Sequence, residues 1–99
     1  MSIIDRALLH LRQHNLLVRD VFRTLDIEIT PQRTWFAGRL TRDYYKSLYG
    51  VLPPKELVRK TDGNGTHCMA VYPGSMRHQM EQFALIAATR YPVEPDDAA

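Results

Sequence analysis

Thr30-Pro31-Gln32-Arg33-Thr34-Trp35-Phe36-Ala37-Gly38-Arg39-Leu40-Thr41-Arg42-Asp43-Tyr44-Tyr45-Lys46-Ser47-Leu48-Tyr49-Gly50 reads as one long helix with a start, two distinct sides and a stop. Thr30 can cap the first turn. Pro31 suits the first helical position, because the N–H it lacks would be unpaired there in any residue. Gly50 supplies the stop. Phe36, Leu40, Tyr44 and Leu48 recur every four residues and are expected to form the buried stripe. Gln32, Trp35, Arg39, Arg42 and Lys46 recur at three and four residues and form a second stripe. At 100° per residue the two stripes lie about 140° apart, so the basic one is expected to point away from the core.

The same region holds the chain's charge. The formal net charge of the 99 residues is only +2. Residues 31–60 carry seven basic side chains (Arg33, Arg39, Arg42, Lys46, Lys55, Arg59, Lys60) against two acidic ones (Asp43, Glu56), a local +5 that leaves −3 for the other 69 residues. Concentrated positive charge of this kind is the footprint expected for a polyanionic partner.

Working outward, residues 2–14 read as a first helix, with Ser2 as cap and Ile4, Leu8 and Leu11 on one face. Residues 17–25 read as a second, with Val18, Val21, Phe22 and Leu25 together. Asp26-Ile27-Glu28-Ile29 alternates polar and apolar residues, as a short strand or an extended turn would. On the other side, Pro53-Pro54 excludes helix and central strand alike. Residues 55–61 and 66–72 then read as two strands around Asp62-Gly63-Asn64-Gly65, whose Asp-Gly and Asn-Gly pairs favour the positive φ of hairpin turns. Ser75 is the expected cap of a last helix reaching about Tyr91, with Met76, Met80, Phe83, Ala84 and Ala87 inward. Residues 92–99, with Glu94, Asp96 and Asp97, are expected to be a disordered acidic tail following a single domain over residues 1–91.

The expected fold is therefore α+β: three N-terminal helices, a β-hairpin and a C-terminal helix. This order, with a basic third helix and a Gly-containing hairpin after it, resembles a winged helix-turn-helix module across roughly residues 2–90. In that family the third helix enters the DNA major groove and the hairpin, or wing, touches backbone or minor groove. Asp26 stands where the turn glycine of the motif falls. The resemblance implies that Gln32, Arg33 and Thr34 meet base edges, where Arg suits guanine and Gln suits adenine. It implies that Arg39, Arg42 and Lys46 contact phosphates, with Lys60, Asn64 and His67 on or near the wing. Trp35 lies on the basic stripe, placed to stack on a base or to sit in a protein interface. By angle Arg33 also falls toward the apolar stripe, where it would brace the fold instead. The expected function is non-catalytic binding of duplex DNA, as a transcriptional regulator in the cytoplasm. No cofactor is expected, and a homodimer through the first or last helix would double the contact area. The alternative is an interaction adaptor or small inhibitor that docks on a protein partner through Trp35, Tyr45 and Tyr49.

Other chemistry is weakly represented. Cys68 is the single cysteine, so no internal disulfide can form, which fits a reducing compartment. It reads as a small buried hydrophobe, and His67 on the adjacent strand position would point to the opposite face. His10 and His14 have the i, i+4 spacing of a metal pair, without an evident third ligand. Asn64-Gly65-Thr66 reads as a turn rather than a glycosylation site. No phosphate-cradling glycine motif occurs, and no signal peptide or membrane span is expected.

Overall fold

The computed structural model describes residues 14–60 and 63–93. The expected first helix, apart from His14, and the acidic residues of the tail lie outside them. The described chain is α+β and runs β1 (His14–Leu16), α1 (Val18–Thr24), α2 (Pro31–Tyr49), β2 (Lys55–Arg59), β3 (Thr66–Ala70), β4 (Tyr72–Pro73), a 3₁₀ turn (Gly74–Met76) and α3 (Arg77–Arg90). Two small antiparallel sheets form, β1 with β4 and β2 with β3.

Helix α2 begins and ends where its residues dictate. The Thr30 hydroxyl accepts from the Arg33 amide at 3.2 Å, Pro31 opens the helix, and Gly50 closes it in the left-handed region at φ 75°. Its buried side differs from the one the apolar spacing predicts. Arg33, Ala37, Thr41 and Tyr45 are buried, whereas Phe36, Leu40 and Tyr44 are half-buried and Leu48 is 52% exposed. The inward face is thus turned by roughly 60° from the apolar stripe. Three of the four buried positions are polar, and each is satisfied in its own way. The Thr41 hydroxyl donates to the Ala37 carbonyl one turn earlier at 2.6 Å. The Tyr45 hydroxyl is 2.9 Å from Nε2 of His14, and the Arg33 guanidinium reaches backbone carbonyls. A buried face built from satisfied polar groups is invisible to hydrophobic periodicity.

The core joins Leu16, Val21 and Phe22 to Ala37 and Tyr45 of α2, Tyr72 of β4, and Met76, Met80, Ala84 and Ala87 around α3. Helix α2 packs chiefly on α3, where small alanines on both sides permit close approach. Ring pairs hold the flanks of this seam, Phe36 edge-on to Tyr91 at 5.7 Å and Tyr44 edge-on to Phe83 at 5.9 Å. The α3 face follows the expected residues closely. Its start does not: the helix is entered through the 3₁₀ turn, and no side chain caps Met76.

Two local readings are corrected and one open alternative is decided. His14 is a strand residue: it pairs with Pro73, lies 2% exposed and packs edge-on against Tyr45 at 5.5 Å. Of the two readings of residues 26–29 the extended turn holds: they form no strand, and Asp26 adopts φ 56° at the end of α1. An aspartate tolerates this left-handed geometry better than most side chains, so it fills the position a glycine would otherwise take. Cys68 is exposed rather than buried.

The β2–β3 hairpin projects from this core. Its register pairs Lys55 with Ala70, Leu57 with Cys68 and Arg59 with Thr66, so these six share one face. Glu56, Val58, His67 and Met69 share the other. Gly63 and Gly65, at φ 80° and 91°, turn the chain, and the Lys60 amide donates to the Gly65 carbonyl at 2.9 Å. Most hairpin side chains are exposed, Leu57 at 68%. The hairpin is tied at its base, where the Val71 amide donates to the Pro54 carbonyl at 2.9 Å, and toward its turn end, where the Arg19 side chain donates to the Arg59 carbonyl.

Candidate nucleic-acid interface

The outward face of α2 is built from the second stripe. Gln32, Trp35, Arg39, Arg42 and Lys46 are all exposed, on the side roughly 160° from the buried positions. Trp35 is 63% exposed, and the Arg39 guanidinium lies over its ring at 5.6 Å from the centroid. Such a contact holds a flat aromatic surface and a positive charge side by side at little conformational cost. Arg42 lies 3.8 Å from Asp43, with both side chains more than half exposed, so solvent screens the pair and Arg42 remains an available cation.

The candidate base-reading turn changes membership. Arg33 is only 7% exposed. Its Nε donates to the Tyr91 carbonyl at 2.8 Å, Nη1 to the Glu28 carbonyl at 2.9 Å, and Nη2 reaches the Ala88 carbonyl at 3.5 Å. The planar guanidinium thus joins the start of α2 to the end of α3, and it is withdrawn from the surface. Thr34 is half-buried, its hydroxyl turned back to the Thr30 carbonyl at 2.9 Å. Gln32 and Trp35 are left as the outward groups of this turn, beside Pro31 and Tyr91.

Across a cleft from α2 stands the hairpin. Thr34, Gly38 and Arg42 of α2 face Lys55, His67 and Cys68 over a cavity of about 440 Å³. The structure therefore brings Arg42 of the helical stripe and the first residue of β2 to a common space. Lys60, Asn64 and His67 are exposed on the hairpin. Sequence reasoning missed Arg19 and Tyr72, which border the same cavity. No local signal marks them, because they approach the hairpin only when the chain returns on itself. Burial drives the Tyr72 hydroxyl up to about 12, with Asp43 and Tyr45 adding to the rise and Arg42 opposing it. Tyr72 is therefore neutral at any physiological pH. Burial raises the Tyr45 hydroxyl as well, with its neighbour Tyr49 adding to the effect.

The aromatic surface of the alternative reading does not assemble as a unit. Tyr45 is 3% exposed and belongs to the core. Trp35 and Tyr49 are exposed, but fourteen residues of helix separate them by about 21 Å along the axis. Among the described residues no group of three or more His, Cys, Asp or Glu side chains is placed to hold a metal ion, and no helix is long and apolar enough to cross a membrane. Neither a protein-family model, nor a curated protein, nor a solved structure matches the chain.

Proposed function

We propose that this chain is a small non-catalytic nucleic-acid-binding protein that engages duplex DNA through the outward face of α2 and the β2–β3 hairpin. A role in transcription regulation accords with that activity. The observation that carries the proposal is the exposure of Arg39, Arg42 and Lys46 on one side of a single helix, with Lys55 across the adjoining cleft. A rigid helix bearing spaced cations suits the major groove, while RNA readers more often present aromatics on a sheet. With Arg33 committed to carbonyls, Gln32 and Trp35 are the groups left to meet bases. Phosphate contacts then dominate, and binding is micromolar or weaker with modest sequence preference. A homodimer through the outer side of α3, where Leu85 and Ile86 are about half exposed, would double the footprint.

The test is the salt dependence of affinity for generic duplex DNA. Neutralising about four to six phosphates gives a slope of log affinity against log salt of roughly −4 to −5. Arg39→Ala with Arg42→Ala should reduce that slope by about 2 and leave stability within ~0.5 kcal/mol, because both side chains are exposed. A flat salt dependence would sink the DNA reading in favour of a protein partner. That second reading has its own support in Leu48, Val51 and Leu52, each more than half exposed at the end of α2 and just beyond it.

A further inference from the structure

The cleft between α2 and the hairpin has the make-up of a small-molecule site. Its volume of about 440 Å³ falls in the range of roughly 300–1,000 Å³ typical of ligand cavities. Val18, Leu52, Pro53, Met69 and the ring of Tyr72 provide apolar walls. Arg19, Arg42 and Lys55 provide charge of one sign, and no Asp or Glu is among the lining residues. Two of these cations are unspent. Lys55 has no carboxylate within 4.0 Å among the described residues. Arg19 gives one Nη1 donor to the Arg59 carbonyl, while its Nε is buried with no acceptor among the described residues. That Nε has no accessible surface, so a guest in the cleft meets the terminal Nη groups of Arg19 instead. The Tyr72 hydroxyl, held neutral by burial, places no competing negative charge beside it.

We propose that this cleft binds a small organic carboxylate, its apolar body against Val18, Leu52, Pro53 and Met69 and its carboxylate on Arg19 and Lys55. Apolar walls disfavour a strongly hydrated phosphate, and Arg19 and Lys55, with no carboxylate among the lining residues, disfavour a neutral guest. Lys55 also borders the candidate DNA face, so the test is read on the chain without DNA, where protection by a small carboxylate succeeds or fails whatever the outcome of the nucleic-acid reading.

Cys68 lines the same cavity, is exposed and is the single thiol of the chain, so it reports occupancy directly. The rate of its alkylation by N-ethylmaleimide is measured on the full chain with benzoate or hexanoate, with benzamide or hexanamide, and with inorganic phosphate. At least one carboxylate should slow alkylation saturably, by about fivefold or more, and raise the melting temperature; the arm that does so distinguishes an aryl from an alkyl guest. The matching amide should be at least tenfold weaker, and phosphate should give no protection. Lys55→Met, an exposed position, should keep the melting temperature of the unliganded protein and weaken protection at least tenfold. Arg19→Met should do the same to protection; if it also lowers stability through loss of the Arg59 contact, Lys55→Met carries the test alone. Absence of saturable protection by either carboxylate overturns the proposal. So does equal protection by the amide or by phosphate, or protection unchanged in Lys55→Met.

Discussion

Arg33 shows how one side chain can be read in opposite ways. Its position in the first turn of a basic helix suits a base contact, yet its angle leans toward the core, and the structure resolves the conflict inward. The fork of a guanidinium can serve several carbonyls at once, and here it joins the entry to α2, the end of α3 and the residue after α3. Replacing Arg33 by Ala leaves those carbonyls without their donor and should cost about 2–3 kcal/mol. That corresponds to a melting temperature lower by roughly 10–20 °C. Arg33→Lys should recover only part of it, because an ammonium cannot make the planar fork. Thermal melting beside DNA affinity checks the assignment. An Ala variant that melts normally but no longer binds DNA would return Arg33 to the surface contact set. Cys68 illustrates the reverse error: it was expected inside as a small hydrophobe, and it is outside because its strand belongs to a projecting hairpin.

Among the elements, the bounds of α2 were legible from local chemistry alone, since a capping threonine, a first-turn proline and a terminal glycine each act on their immediate neighbours. The outward stripe was legible too, because exposed charge needs no partner. The inward face was not. Arg33, Thr41 and Tyr45 are tolerated inside only because carbonyls, a helical turn and His14 satisfy them, and two of those three partners arrive from distant chain. The hairpin was legible from its turn, and its glycines do hold positive φ. Gly65→Val tests what the hairpin does. A Cβ at Gly65 meets nothing within 4 Å, so its cost is conformational and arises from φ 91°. Because the strands are largely exposed, the damage should stay local. Amide-exchange protection over residues 55–59 and 66–70 should fall, DNA affinity should weaken several-fold, and global stability should change by less than about 1 kcal/mol. Collapse of the whole domain would show the hairpin to be part of the core; an unaltered hairpin would place the turn elsewhere.

At the scale of the whole molecule, charge separation along the sequence becomes spatial only through folding. The Tyr91 carbonyl is held by Arg33, and the Tyr91 ring packs on Phe36, so the chain leaves α3 beside Gln32 and Trp35. Glu94, Asp96 and Asp97 follow within six residues. Removing residues 94–99 should therefore strengthen DNA binding at low salt, an effect that fades as salt screens the acids, while the melting temperature stays unchanged. Titration of the truncated chain at two salt concentrations measures it; a large drop in melting temperature would show instead that the tail supports the fold. The sequence by itself determined the order of the helices and the hairpin from 17 onward, the cap and stop of α2, the turn and the exposed basic stripe, because all of these depend on residues within a few positions of one another. Only the tertiary structure decided the pairing of β1 with β4, the burial of His14 and Arg33, and the cleft that sets Arg19 and Arg42 opposite Lys55. Each of those joins segments tens of residues apart, and a buried polar group declares itself only when the partner that satisfies it has come into place.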